Sequence, residues 1–291
     1  MFNHFIVFKE INLKIFKLIF INKLSYINIM KTIKLTCSNL AKLTGHNKFE
    51  SKEKVLHSIL NTNNIKKIYI PKSNIEEKLF KLDEESINKI KKEMSLSETA
   101  TIQEVEIEIK KKIMYKSYNP NLKEDESKKI IDNSVNNNSL EVLSESIKKD
   151  LMMRRGNIKE NNNLDKIQKK RKIKIGERNS KMYEKVLYES DDNTYNIIIR
   201  GKMDGISDDH VVETKNRTKR LFYKIPDYEK VQMESYMFLS GLNKCIHIEH
   251  YNDESNETIY EHDEEFWNDC QQKIVNYINT NVKPYLLENP Q

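Results

Sequence analysis

The chain has 291 residues, 37% hydrophobic and 32% charged, with a formal net charge of +6. That length suits one large domain or two modest ones, and the apolar share is too high for a wholly disordered chain. Its three cysteines, Cys37, Cys245 and Cys270, lie far apart with no C-x-x-C pair, which argues against a zinc knuckle or iron–sulfur cluster and suits a reducing, intracellular compartment.

Asn, Ile and Lys are used heavily while Gly and Pro are scarce. AT-rich coding produces that bias, so part of the lysine count is drift. The net charge permits an anionic partner, because a basic surface gathers phosphates by releasing counterions. The charges are mixed along the chain, however, and most charged runs read equally as solvated helix faces.

The first stretch, Met1 to Ile29, is apolar but carries Lys9, Glu10, Lys14, Lys17 and Lys23. A membrane span needs roughly 18 nearly uncharged apolar residues, and a signal peptide carries its charge before the apolar run. No membrane association is expected. Residues 1–30 read as an N-terminal extension, with Met30 as an alternative start.

Residues 31–60 read as a strand, a helix through Leu40 and Leu43 ended by Gly45, and a second helix carrying Val55, Leu56, Ile59 and Leu60. Residues 61–139 turn polar. Helical periodicity over Ile75 to Met94 and Ile102 to Met114, then a loop over Asn133 to Ser139, predicts a helical insertion. Residues 140–291 form the predicted core. A helix over Leu140 to Asp165, interrupted near Gly156, leads to strands over Lys181 to Glu189, Thr194 to Lys202 and His210 to Lys215. Then come a helix from Pro226 to Leu239, a strand from Cys245 to Tyr251 and a helix from Asp263 to Leu287. The order predicts an α/β (α+β) fold with a mixed central sheet flanked by helices.

The residues with chemical content are Asp204, at a strand end, and Glu213 and Lys215, two apart on the next strand and therefore on one face. A hairpin can bring Asp204 beside Glu213. Two close carboxylates repel unless a cation lies between them, and oxygen ligands suit Mg²⁺ or Mn²⁺. Such an ion acidifies a water and polarises a phosphoryl oxygen, while a lysine offsets charge building on the phosphate. A surface hairpin with one salt bridge would show the same three residues.

The surrounding motifs decide between these readings. Gln232 and Tyr236 lie one helical turn apart on the next helix. Arg155-Gly156-Asn157-Ile158-Lys159-Glu160 precedes the strands, and Thr36 to Phe49 carries Ser38, Ala41, Gly45 and Asn47-Lys48-Phe49. In this order, with Asp204 and Glu213-Thr214-Lys215, the pieces resemble the PD-(D/E)XK nucleases, in the branch of lambda exonuclease and the YqaJ-type viral recombinase nucleases. The match covers residues 36 to 60 and 150 to 251, somewhat under half the chain. Met203 stands where that superfamily often has Pro, and Glu177 and Glu184 are alternatives to Glu160.

The resemblance implies a restriction-endonuclease-like core and a metal-dependent deoxyribonuclease. Glu160, Asp204, Glu213, Lys215 and Gln232 would be catalytic. Asp204, Glu213, the Thr214 backbone carbonyl and Glu160 would hold Mg²⁺ or Mn²⁺. Arg154, Arg155, Arg217, Lys219, Arg220 and Tyr236 would contact DNA, with the paired arginines suited to a terminal 5′-phosphate; solubility explains the basic residues equally well. Phe222, Tyr223 and Tyr228 read more as packing than as base-stacking residues, and His210, His247 and His250 as structural. The implied partner is duplex DNA with ends, and the branch allows a homo-oligomeric ring and a single-strand annealing partner. An exonuclease is expected first. A structure-specific or nicking endonuclease, an inactive nucleic-acid-binding protein and an interaction protein built on the insertion are the alternatives.

Overall fold

A computed structural model of the chain describes residues 30–119, 122–207 and 209–288. The N-terminal extension lies outside them except for Met30. Among the described residues no helix is long and apolar enough to cross a membrane.

The chain enters on β1 (Lys31–Thr36), α1 (Cys37–Leu43) and α2 (Lys52–Thr62). The insertion follows as α3 (Asn74–Leu79), α4 (Glu84–Glu93), α5 (Ile102–Ile109), a π-helical turn (Lys110–Met114) and α6 (Glu124–Val135). A 28-residue helix, α7 (Ser144–Arg171), leads to β2 (Tyr183–Glu189), β3 (Tyr195–Gly201), β4 (Gly205–Ile206) and β5 (Val211–Asn216). The chain closes with α8 (Asp227–Ser240), β6 (Lys244–Tyr251), β7 (Glu254–Glu261), α9 (Glu264–Asn281) and α10 (Lys283–Glu288).

The fold is mixed α and β, with the strands in two sheets rather than one. The first has the order β1-β3-β2 and the second β4-β5-β6-β7. β1 pairs parallel to β3, with Lys31 opposite Tyr195, and β2 pairs antiparallel to β3. In the second sheet β5 and β6 are parallel, as a helical crossover requires, with Glu213 opposite His247. β4 and β7 pair antiparallel at the edges. β3 alternates buried and half-buried positions, whereas Val211 to Thr214 of β5 are all buried, the mark of a strand covered on both faces.

α7 joins two cores. Ile147 and Leu151 complete the insertion's own apolar core with residues such as Ile75, Leu79, Val105, Ile109 and Ile131. Farther along, Leu164 and Ile167 pack with Ile175, Val212, Ile246 and Ile248 against the second sheet. The insertion's packing unit therefore extends past residue 139, through Leu151. The helix is continuous where an interruption near Gly156 was expected. There it lies close to β5, and a Cβ added at Gly156 would stand 3.8 Å from the Asn216 Cβ. Other departures are local. Ile75 to Met94 is two helices, the last predicted helix divides at Val282, and Pro226 caps α8 from outside its first turn.

Candidate active site

The second sheet and its flanking helices bring Glu160, Asp204, Glu213, Lys215 and Gln232 to one cleft of about 790 Å³. β4 pairs Gly205 with Val212, which sets Asp204 beside the Glu213–Thr214 step. The Thr214 backbone N–H donates to Asp204 Oδ2 at 2.8 Å. Glycine on either side of Asp204 is a packing requirement. A Cβ at Gly205 would lie 2.4 Å from Ile175 Cγ2, and one at Gly201 would lie 2.7 Å from Cys37 Sγ and 2.8 Å from Tyr236 Cε1.

Glu213 and Lys215 project to one face of β5, and the Lys215 ammonium donates to Glu213 Oε1. Lys215 also donates to Gln232 Oε1 at 3.0 Å, and Gln232 Nε2 donates to the Tyr236 hydroxyl at 2.9 Å. One helical turn of α8 therefore fixes the lysine from behind. Glu160, on α7, accepts from the Asn179 side chain and lines the same cleft as Asp204, Glu213, Lys215 and Gln232. Glu177 is occupied with Tyr183 and Lys181, and Glu184 stands 3.9 Å from Lys34. Glu160 is thus the third carboxylate that faces Asp204.

The electrostatics are those of a site short of positive charge. Burial and the Asp204 charge push the Glu213 carboxyl up to about 8. Burial and the same Asp204 charge push Glu160 up to about 7, and burial raises Asp204. Burial works against the Lys215 charge, but Glu213 outweighs it and the ammonium is held above its ordinary value. Glu213 Oε2 is buried with no hydrogen-bond partner. A buried, unpartnered carboxylate oxygen is costly, and a cation is the partner its surroundings suit. Among the described residues no three His, Cys, Asp or Glu side chains converge closely enough to hold an ion alone. Mg²⁺ would ask for fewer protein ligands, since it is usually bound by one or two carboxylates with water and substrate phosphates filling the remaining positions. Asp204, Glu213 and the Thr214 carbonyl are the donors available.

Three predicted DNA contacts are corrected. Tyr236 is buried in the core with its hydroxyl accepting from Gln232, so it backs the site and does not meet DNA. Arg155 is buried, and its guanidinium donates to the carbonyls of Asn119 and Leu122 and to Ser127 Oγ. It fastens α6 to α7 and is not available to phosphate. Arg217 is also buried, pairing with both Glu229 oxygens and with Glu249, while Glu229 also meets His247 Nε2 at 2.8 Å. Charge type alone suggests surface for both, and their partners lie on distant elements. Of the remaining basic residues, Lys219 lines the cleft, Arg220 is exposed beside it, and Arg154 opens onto a neighbouring pocket. Lys128, Lys148 and Lys149, which no sequence motif marks, also rim the cleft from α6 and α7. Their position follows only from the fold of the insertion.

No family model and no curated protein matches the chain. Among solved structures, the chain is similar to an alkaline exonuclease, LHK-Exo, from Laribacter hongkongensis, and to its complex with dAMP. Each has a TM-score of 0.37 and 13% identity, covering 47% of this chain and 71% of that one. A third, SSO0001, has a TM-score of 0.32 and 16% identity, covering 41% of this chain and 58% of its own.

The carboxylates give a pH test of cation binding. Glu213 holds its proton more tightly in the fold than in the unfolded chain, where its ordinary value is 4.5. Without a cation, the stability linked to that proton is present below 4.5 and is lost as pH rises towards about 8. A divalent ion would replace the proton. Saturating Mn²⁺ should therefore raise the melting temperature by about 5 °C or more at pH 8 and hardly at all at pH 5. Thermal unfolding in EDTA and in Mn²⁺ at both pH values checks this, and an equal shift at both would contradict it.

Proposed function

We propose that the protein is a divalent-cation-dependent nuclease that hydrolyses phosphodiester bonds in DNA, acting as an exonuclease on linear duplex. The observation that carries the reading is the floor of the cleft. Asp204, just before β4, stands beside Glu213 of β5, which has an unpartnered oxygen, and Lys215 is held at Glu213 by Gln232. A bound Mg²⁺ or Mn²⁺ would supply Lewis acidity to a phosphoryl oxygen and acidify a water. The chain's own residues do the rest. Lys215 offsets negative charge building on the phosphate, and Gln232 keeps the ammonium in place. Lys149 and Lys219 meet no carboxylate among the described residues and draw the polyanion to the rim.

Attack from an end, rather than within a closed duplex, is supported by the insertion. Lys128 of α6 donates to the Thr218 carbonyl at 2.9 Å, and both residues line the cleft. This contact bridges the insertion to the loop after β5, and a strand end need not pass it. Linear duplex incubated with the protein and Mg²⁺ should be degraded from its ends, while covalently closed circles stay intact. Rapid nicking of the circles would make the enzyme an endonuclease.

A further inference from the structure

Beside the cleft lies a second cavity, of about 420 Å³, between the π-helical turn and α7. The turn is a local irregularity, with the Tyr115 backbone N–H reaching back to the Lys110 carbonyl at 2.8 Å. Such single π-turns cluster at functional sites. Here it presents the Tyr115 ring, which is 44% exposed. The Arg154 guanidinium lies over that ring at 4.8 Å and over the Tyr118 ring at 5.9 Å. No carboxylate among the described residues pairs with Arg154, whereas neighbouring Lys110 is committed to Glu106. Met153, also in the wall, is 65% exposed.

We propose that this pocket is a subsite for an unpaired nucleobase of the DNA strand seated in the Asp204–Glu213 cleft. The inference rests on the nuclease reading and extends it. Three features of the pocket match one ligand. It has the Tyr115 ring and the apolar Met114, Met153 and Ile158 for a base, and Arg154, packed on the tyrosine rings but without a carboxylate partner among the described residues, is a cation for the adjoining phosphate. A free phosphate would use Arg154 but leave Tyr115, Met114, Met153 and Ile158 unused, and it would face the Asp150 carboxylate in the same wall. The pocket also adjoins the cleft, because Met153 and Asn157 line both. Along α7, Arg154 precedes Glu160 by six residues, about 9 Å of helix, so a strand in the cleft has the pocket within reach.

The test uses the full chain in EDTA, so that no cleavage occurs, with a duplex carrying a single-stranded tail that contains the fluorescent base 2-aminopurine. Binding of the parent should quench the fluorophore through stacking at a defined tail position. Tyr115→Ala should abolish the quench and weaken binding of the tailed duplex about tenfold or more, and Tyr115→Phe should restore both. Arg154→Ala should weaken binding and reduce its salt dependence by about one phosphate contact. Blunt duplex should bind Tyr115→Ala nearly as well as the parent. The subsite is wrong if the parent leaves the fluorophore unquenched, or if Tyr115→Ala holds the tail as tightly as the parent. Failure of the nuclease reading looks different: the parent then lacks cation-dependent cleavage whatever stands at position 115. A protein partner recruited to Tyr115 and Met153, with no DNA effect from either, would also overturn the subsite.

Discussion

Replacing Asp204 with Asn should reduce DNA cleavage at least about a hundredfold while leaving DNA binding intact. The amide keeps an oxygen to accept the Thr214 N–H, now made at 2.8 Å, so the β4–β5 junction should survive. What is lost is one of the two negative charges proposed to hold the cation. Loss of one preorganised electrostatic element typically costs about 3 kcal/mol in the barrier, and loss of the ion costs more. Binding should stay level or tighten, because Asp204 repels the phosphates it faces. The cation-free fold should not be weakened either, since the Asp204 charge is part of what raises Glu213 and Glu160. Paired measurements of cleavage rate and of affinity in EDTA separate these effects. An equal loss of both would mean that Asp204 supports structure rather than chemistry.

Arg217→Ala should have the largest effect on stability, about 3–5 kcal/mol, the usual result of removing one partner from a buried ion pair. Two carboxylates, Glu229 and Glu249, would be left buried without their cation. Glu249 also receives the backbone N–H groups of Phe222 and Tyr223, so the loop between β5 and α8 should loosen with it. The wild-type cluster should also fail in acid. Burial opposes the Glu229 charge, but the hydrogen bonds from His247 and Arg217 prevail and hold it down to about 2. Its contribution is therefore full above the ordinary value of 4.5 and is lost as pH falls towards 2. Urea unfolding of Arg217→Ala beside the exposed Lys219→Ala checks the claim, with the latter expected within about 0.5 kcal/mol of the parent. If Arg217→Ala were as stable as the parent and had merely lost DNA affinity, the residue would be a phosphate contact after all.

These two positions show what could be read in the sequence. The shared placement of Asp204, Glu213 and Lys215 was legible because the strand period puts Glu213 and Lys215 on one face and a short hairpin brings Asp204 beside them, whereas Gln232 entered only through the family resemblance. Arg155 and Arg217 were misread because burial of a charge depends on partners brought from other elements. β7 escaped notice for a different reason. Glu254, Ser255, Asn256 and Glu257 open an edge strand whose register comes from β6 rather than from any alternation of its own. The parallel pairing of β1 with β3 joins residues 31 and 195, a separation beyond the reach of any local pattern. α6 has few apolar residues, and its amphipathic face is defined by Arg155 and by the insertion core it completes. The insertion's place as one wall of the cleft followed from that packing.

The central claim is that Asp204, Glu213 and Lys215 form a cation-dependent phosphodiesterase centre. It is tested most directly by following an end-labelled linear duplex with the parent protein in EDTA, then with Mg²⁺ or Mn²⁺ restored. The account predicts no release of label in EDTA and progressive release once either ion is added. DNA that is bound but left whole in both ions, or cleaved equally well in EDTA, would contradict it.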